Sequence, residues 1–145
     1  MDQPGSLAPA SVPVKLIPVP TPETLPFWEG CRKGELRLQR CAACGQVQFP
    51  PQSFCAACLG ENLTWFKAVG RGTVLSYTVV HWSPNPAYAA DAPYVLALIA
   101  LEEGPRMLTN IIGAPPGEVR IGIAVTVTFE NCSPEIALPK FRIMQ

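Results

Sequence analysis

Over the first twenty residues apolar positions follow no period of 2 or 3.6, and prolines at 4, 9, 13, 18 and 20 interrupt the chain. This stretch, 1–20, predicts an extended arm or tail. Helix signals follow. Thr21 suits a cap, Pro22 the first helical position, and Glu23 complements the helix dipole. Pro26 then confines the helix to about 27–32, and Gly34 stops it. Leu36 and Leu38 alternate with Glu35, Arg37 and Gln39, which predicts a half-buried strand running into Cys41. Strand-like segments at 46–49 and 62–67 come next. Beyond Gly70 and Gly72 the pattern is strand after strand, at 73–80, 94–101, 106–112, 124–130 and 140–144. In 124–130, Val125, Val127 and Phe129 lie on one face and Thr126, Thr128 and Glu130 on the other. Residues 83–93 and 113–117 predict loops, and Glu102-Glu103-Gly104-Pro105 a tight turn. Five short strands with turns between them predict a small barrel or sandwich.

Composition narrows this picture. With 17 prolines and 11 glycines, long helices are disfavoured. Charged residues make up 15%, and 11 basic residues balance 11 acidic ones, which argues against a dedicated nucleic-acid binder. The longest apolar run, 92–101, contains Pro93 and falls well short of the ~20 residues of a membrane-spanning helix. The N-terminal stretch has neither the basic start nor the continuous apolar segment of a secretory signal, so a cytoplasmic location is expected. There, six cysteines are thiols or metal ligands rather than disulfides.

Four of the six form two matched pairs, Cys41-Ala42-Ala43-Cys44-Gly45 and Cys55-Ala56-Ala57-Cys58-Leu59-Gly60. Each pair supplies two thiolates from one turn, and the glycine behind it lets the chain fold back so that amides face the sulfurs. Two pairs close a tetrahedron with no open position, so the metal is structural. Segments this short need such a staple, and coordination supplies folding energy. Zinc is the expected ion, with iron in the same cage as the alternative. Thioredoxin-like redox pairs come singly, after a buried strand and at a helix start, a setting neither pair has.

Other chemistry is sparse. Cys31 and Cys132 read as small packed thiols. His81, the one histidine, has no second histidine or evident base beside it, and Glu102-Glu103 reads as a solvated turn. No catalytic residue is assigned. A free-standing thioester enzyme would have to be built on His81 or Cys31.

The ordered motifs nevertheless match a pattern. Phe27-Trp28-Glu29-Gly30 leads to Gly34-Glu35-Leu36-Arg37-Leu38-Gln39-Arg40-Cys41, followed by Phe49-Pro50-Pro51 between the knuckles. Then come Gly70-Arg71-Gly72-Thr73-Val74, Tyr77-Thr78-Val79-Val80, Pro93-Tyr94-Val95, Leu101-Glu102-Glu103-Gly104 and Gly122-Ile123-Ala124-Val125. This run, about 22–143, resembles the zinc-ribbon plus OB-fold family known as domain-of-unknown-function family 35. The resemblance implies a mainly β chain: after the arm at 1–20, a short helix and rubredoxin-like zinc ribbon, taken as 21–69, and a five-stranded OB barrel, taken as 70–145. It also implies an accessory subunit. Such proteins accompany thiolase-like enzymes and lipid-transfer-protein-like aldolases of steroid side-chain degradation, or hot-dog-fold hydratases, and complete or stabilise the partner's acyl-CoA site.

On that implied role, Trp28, Trp82, Tyr88, Tyr94, Arg106 and Arg142 are candidate ligand or partner contacts. Aromatic anchors dominate interfaces, although Trp82 and Tyr94 equally suit caps on the barrel end. Cations for CoA phosphates would come from Arg106, Lys140 and Arg142 on the barrel or Arg32, Lys33 and Arg37 near the ribbon. An OB module for nucleic acid is the competing reading, which the zero net charge disfavours. No membrane partner is expected.

Overall fold

A computed structural model describes residues 13–145. The N-terminal part of the predicted arm, 1–12, lies outside the described residues. Residues 13–20 run extended past the barrel. Here the Leu16 amide donates to the Tyr88 hydroxyl at 3.3 Å, and Lys15 pairs with Asp91 while lying 5.7 Å from the Tyr88 ring centroid.

Helix α1 spans Leu25–Arg32 and differs from expectation at its start. Thr21 does not cap it. Its carbonyl accepts from the Thr24 and Leu25 amides at 3.0 and 2.8 Å, closing a turn before the helix. Pro26, rather than Pro22, takes the early helical position where no amide partner is needed. Gly34 ends the helix as predicted. At φ +76° its amide donates to Cys31 and the following Glu35 amide to Gly30, a paired closure that serves two orphan carbonyls. The buried side of α1 carries Phe27 and Cys31, and Phe27 packs on Trp28 and Phe49 with ring centroids 5.0 and 5.5 Å apart.

Strands β1 (Arg37–Cys41), β2 (Val47–Gln48) and β3 (Leu63–Lys67) form an antiparallel sheet in the order β2-β1-β3. Strands β4 (Arg71–Val80), β5 (Tyr94–Leu101), β6 (Arg106–Ile111), β7 (Ala124–Asn131) and β8 (Ala137–Ile143) close a barrel in the order β4-β5-β6-β8-β7. This is the predicted five-stranded OB barrel behind a zinc-ribbon region. In β4 the register against β5 slips between Val74 and Ser76, so Leu75 is bulged and half turned to solvent. β4 starts where β5 passes so close that a Cβ on Gly72 would sit 2.4 Å from the Ala100 carbonyl oxygen.

Two further expectations are corrected. The last strand begins at Ala137, not Lys140, and includes Pro139. The Pro139 carbonyl accepts from Thr109 Oγ1 at 2.9 Å, so it faces β6. The proline nitrogen faces the same way, and β6 bridges β8 only at Ile111–Phe141, so its missing N–H breaks no bond to β7. Loop 83–93 contains a short helix, α2 (Pro86–Ala89), where Asn85 accepts from the Ala87 amide and Pro86 opens the turn.

One apolar core runs through both parts. Phe27, Cys31, Leu36 and Leu38 join Val74, Ile99, Val125 and Phe141 in a single buried cluster. Glu103 ties the two parts on the outside by accepting from the Val69 amide at 2.7 Å. Among the described residues no helix is long and apolar enough to cross a membrane.

Candidate metal centre and contact residues

Each cysteine pair sits in a tight turn pinned by its own backbone. In the first, the Gly45 amide donates to Cys41 O and the Cys41 amide to Gln46 O, at 2.8 and 2.9 Å. In the second, the Leu59 amide donates to Cys55 O and the Cys55 amide to Gly60 O, at 2.9 and 2.7 Å. The two turns bring all four sulfurs within 4.8 Å of one another, with Cys41–Cys58 and Cys44–Cys55 each at 3.6 Å. Zinc–thiolate bonds of about 2.3 Å in a tetrahedron need sulfurs about 3.8 Å apart, so the donor set fits a four-sulfur metal site. Cys41 and Cys55 are buried, while Cys44 and Cys58 face solvent.

The electrostatics favour thiolates on the buried side. Hydrogen bonding from the Cys44 amide holds Cys41 below the usual thiol range. The Cys58 amide does the same for Cys55, lowering it to about 7. For Cys44 the Gln46 amide pulls downward, but the Cys55 sulfur, desolvation, and the Cys58 and Cys41 sulfurs together push it up to about 12. Four thiolates at this separation repel one another, and a dication is the species that relieves it.

The turns are not equivalent. Gly45 takes φ +77° in the first. In the second the matching position is Leu59, at φ +63°, and not the glycine beside it. The expectation that a glycine supplies the reversal therefore holds only for the first turn.

Two glutamines that the alternation pattern did not single out hold the second turn in place. Alternation along 35–39 places Gln39 outward on β1, yet it is buried and paired across the sheet with Gln48. Gln48 Nε2 donates to Gln39 Oε1 at 2.9 Å and to Phe54 O at 3.1 Å, and Gln48 Oε1 accepts from the Ala56 amide at 2.9 Å. Gln39 Oε1 also accepts from the Gln52 amide and its Nε2 donates to Gln52 O, both at 2.9 Å. The loop from 52 to 56 has no strand partner, and these side chains satisfy its backbone instead. No local pattern marks them, since what buries Gln39 and Gln48 is the fold-back of residues 52–56.

The proposed contact residues are dispersed. Trp28 is half-buried on α1. Trp82, after β4, is 75% exposed and caps nothing. Tyr88 on α2 is half-buried against the arm, and Tyr94 opens β5, also half-buried. Arg106 and Arg142 are exposed on β6 and β8. Of the other cations, Arg37 is committed to Glu35 (2.9 Å) and Lys140 to Glu130 (2.8 Å), while Arg32 and Lys33 are exposed at the end of α1. They do not converge on one phosphate site. Cys31 is buried, and desolvation raises its thiol to about 12, whereas Cys132 and His81 are exposed.

Comparison with known proteins finds a ribbon and a barrel domain in the same order. The model of the rubredoxin-like zinc ribbon domain of ChsH2 matches residues 28–64, and that of the ChsH2 C-terminal OB-fold domain matches 65–130. A probable enoyl-CoA hydratase alpha subunit of Thermomonospora curvata is 40% identical over 117 residues, 80% of this chain and 36% of its own. A 3-oxo-4,17-pregnadiene-20-carboxyl-CoA hydratase alpha subunit of Mycobacterium tuberculosis is 36% identical over 128 residues, 84% of this chain and 40% of its own. The chain thus spans well under half of these relatives. A solved chain described as Ltp2-ChsH2(DUF35) aldolase superposes with a TM-score of 0.78 at 36% identity, covering 88% of this chain and 98% of that one.

Proposed function

This chain belongs to the DUF35 family of zinc-ribbon plus OB-fold proteins, and we propose that it is a non-catalytic accessory subunit of an acyl-CoA-processing complex. Its partner is a thiolase-like or lipid-transfer-protein-like enzyme that carries the nucleophile or base. The subunit binds and stabilises that enzyme and helps to form its acyl-CoA site, with a steroid side-chain aldolase as the preferred case. The observation that carries the reading is the solved DUF35 chain of an aldolase, which this chain matches over nearly its whole length. Dispersed cations and an exposed, solitary His81 accord with chemistry housed elsewhere.

Within this reading Cys41, Cys44, Cys55 and Cys58 hold a structural zinc ion, which supplies folding energy and takes no part in turnover. Residues 21–69 form the helix and ribbon and 70–145 the barrel, and of the Pro-rich arm at 1–20 the described part, 13–20, reaches the barrel through Leu16 and Lys15. Acyl-CoA is a ligand of the assembled complex in the cytoplasm. Nucleic acid and membranes are not partners, consistent with the zero net charge.

The test is co-expression with each thiolase-like enzyme of the native host, followed by size exclusion and thioester assays. A stable complex whose activity needs both chains is expected. Independent elution of every candidate, or thioester turnover by this chain alone, would defeat the proposal.

A further inference from the structure

Strand β5 is apolar on both of its faces. Val95, Ala97, Ile99 and Leu101 point into the barrel and are buried, while Tyr94, Leu96, Leu98 and Ala100 lie on the outside. A strand that is apolar all round is one covered on both sides, whereas an antiparallel sheet with a wet face alternates with polar residues. On the neighbouring β6 the same outer face carries Leu108, directly across from Leu98 and 64% exposed. Among the described residues nothing covers Leu108.

This face runs into a groove of about 330 Å³ where the barrel meets α1 and the ribbon. Phe27 and Trp28 of α1, Phe49 of the ribbon, and Met107 and Leu108 of β6 form its walls. Four polar side chains line it as well, and each is already engaged within the chain. Thr109 Oγ1 donates to Pro139 O, Asn110 Nδ2 donates to Val95 O, Lys140 Nζ pairs with Glu130, and Thr24 Oγ1 accepts from the Thr21 amide. A ligand rich in amides or phosphates would find few free donors here and would leave its own groups unpaired at a cost. Apolar side chains meet no such penalty. A small molecule seated in the groove would also leave the outer face of β5, where Leu96 and Leu98 are only half-buried, as it is, whereas a protein surface covers both.

We propose that the outer face of β5 and β6 with the adjoining groove is the docking site for the catalytic subunit, which inserts apolar side chains beside Leu108. The inference rests on the accessory-subunit reading and adds to it the surface used and the chemistry of the contact. It separates two roles as well: this groove holds the partner's protein surface, not the CoA moiety. A hot spot of this kind is a central apolar pocket ringed by contacts that exclude water.

The test uses the full chain co-expressed with the thiolase-like enzyme that forms the complex. Leu108→Asp and the double variant Leu98→Asp/Leu108→Asp are compared with Leu108→Met by size exclusion and by affinity. Leu108→Met is expected to bind within a few-fold of the wild type, and Leu108→Asp at least tenfold more weakly, with unchanged melting of the free chain. Amides of β6 and of residues 49–51 are expected to gain hydrogen-exchange protection in the wild-type complex, a readout independent of any variant's folding. A complex that survives the double variant, or protection confined elsewhere, overturns the docking site and leaves the accessory role standing. A dimer of the free chain that Leu108→Asp splits assigns the face to a second copy and also overturns it. If the wild type joins none of the candidate enzymes, the accessory reading falls and this inference falls with it.

Discussion

At the residue scale, the metal centre depends on positions that differ in how they constrain the chain. Cys44 and Cys58 reach the four-sulfur cluster from solvent, and each offers one of its four donors. Replacing either by Ser is expected to abolish stoichiometric metal, read by elemental analysis, and to destabilise the chain by several kcal/mol, because coordination and folding are one equilibrium. Leu59 is the opposite case. It holds φ +63°, a conformation costing a side chain roughly 1–2 kcal/mol, and it is 71% exposed, so little packing offsets the strain. Leu59→Gly is expected to raise the melting temperature, with a gain of about 1 kcal/mol less the entropy that glycine adds to the unfolded chain. An unchanged or lower melting temperature would mean that Leu59 makes compensating contacts. The thiols outside the site differ as well. Burial raises Cys31 to about 12 from an ordinary value of 9.0, so the folded state keeps its proton where the unfolded chain loses it. This contribution to stability is present below pH 9 and drains away as pH rises toward 12. At pH 8 iodoacetamide is expected to label exposed Cys132 in the folded, metal-loaded protein and to reach Cys31 only after denaturation, as mass spectrometry would resolve.

At the scale of elements, the ribbon is organised by side chains as much as by strands. β2 has only two residues, too few to order the loop that follows, and Gln39 and Gln48 take over that task. Truncating Gln48 to Ala removes its bonds to the Ala56 amide, the Phe54 carbonyl and Gln39, at about 1 kcal/mol for each. A lower melting temperature and faster metal transfer to a chromogenic chelator are the expected results. The cysteine spacing was legible because it is local: two residues between ligands is a property of one turn. The glutamines were not, since alternation placed Gln39 outward and only the fold-back of residues 52–56 covers it. Pro139 misled for a similar reason. Proline normally ends a strand, and here it is tolerated only because its nitrogen faces the one sparsely bridged seam of the barrel.

At the scale of the whole molecule, ribbon and barrel share one core through α1, so they are expected to melt together. Removing the metal should lower a single calorimetric transition rather than uncover a separate ribbon unfolding at low temperature. Two resolved transitions would show that the shared core is too weak to couple the parts. Phe141, fully buried where β8 meets β6 and β7, is central to it, and Phe141→Ala should cost about 3–5 kcal/mol. Strand alternation, turn residues and the doubled cysteine motif carried the mainly β class, the strand set and the four-cysteine cluster, because each is an interaction between residues close along the chain. The burial of Gln39 and Gln48, the left-handed Leu59, the commitment of Arg37 and Lys140 to ion pairs, and the apolar face at Leu108, uncovered among the described residues, came only from three-dimensional packing. They depend on which distant segments meet, and no local period records whether an apolar side chain faces its own core or waits for a partner.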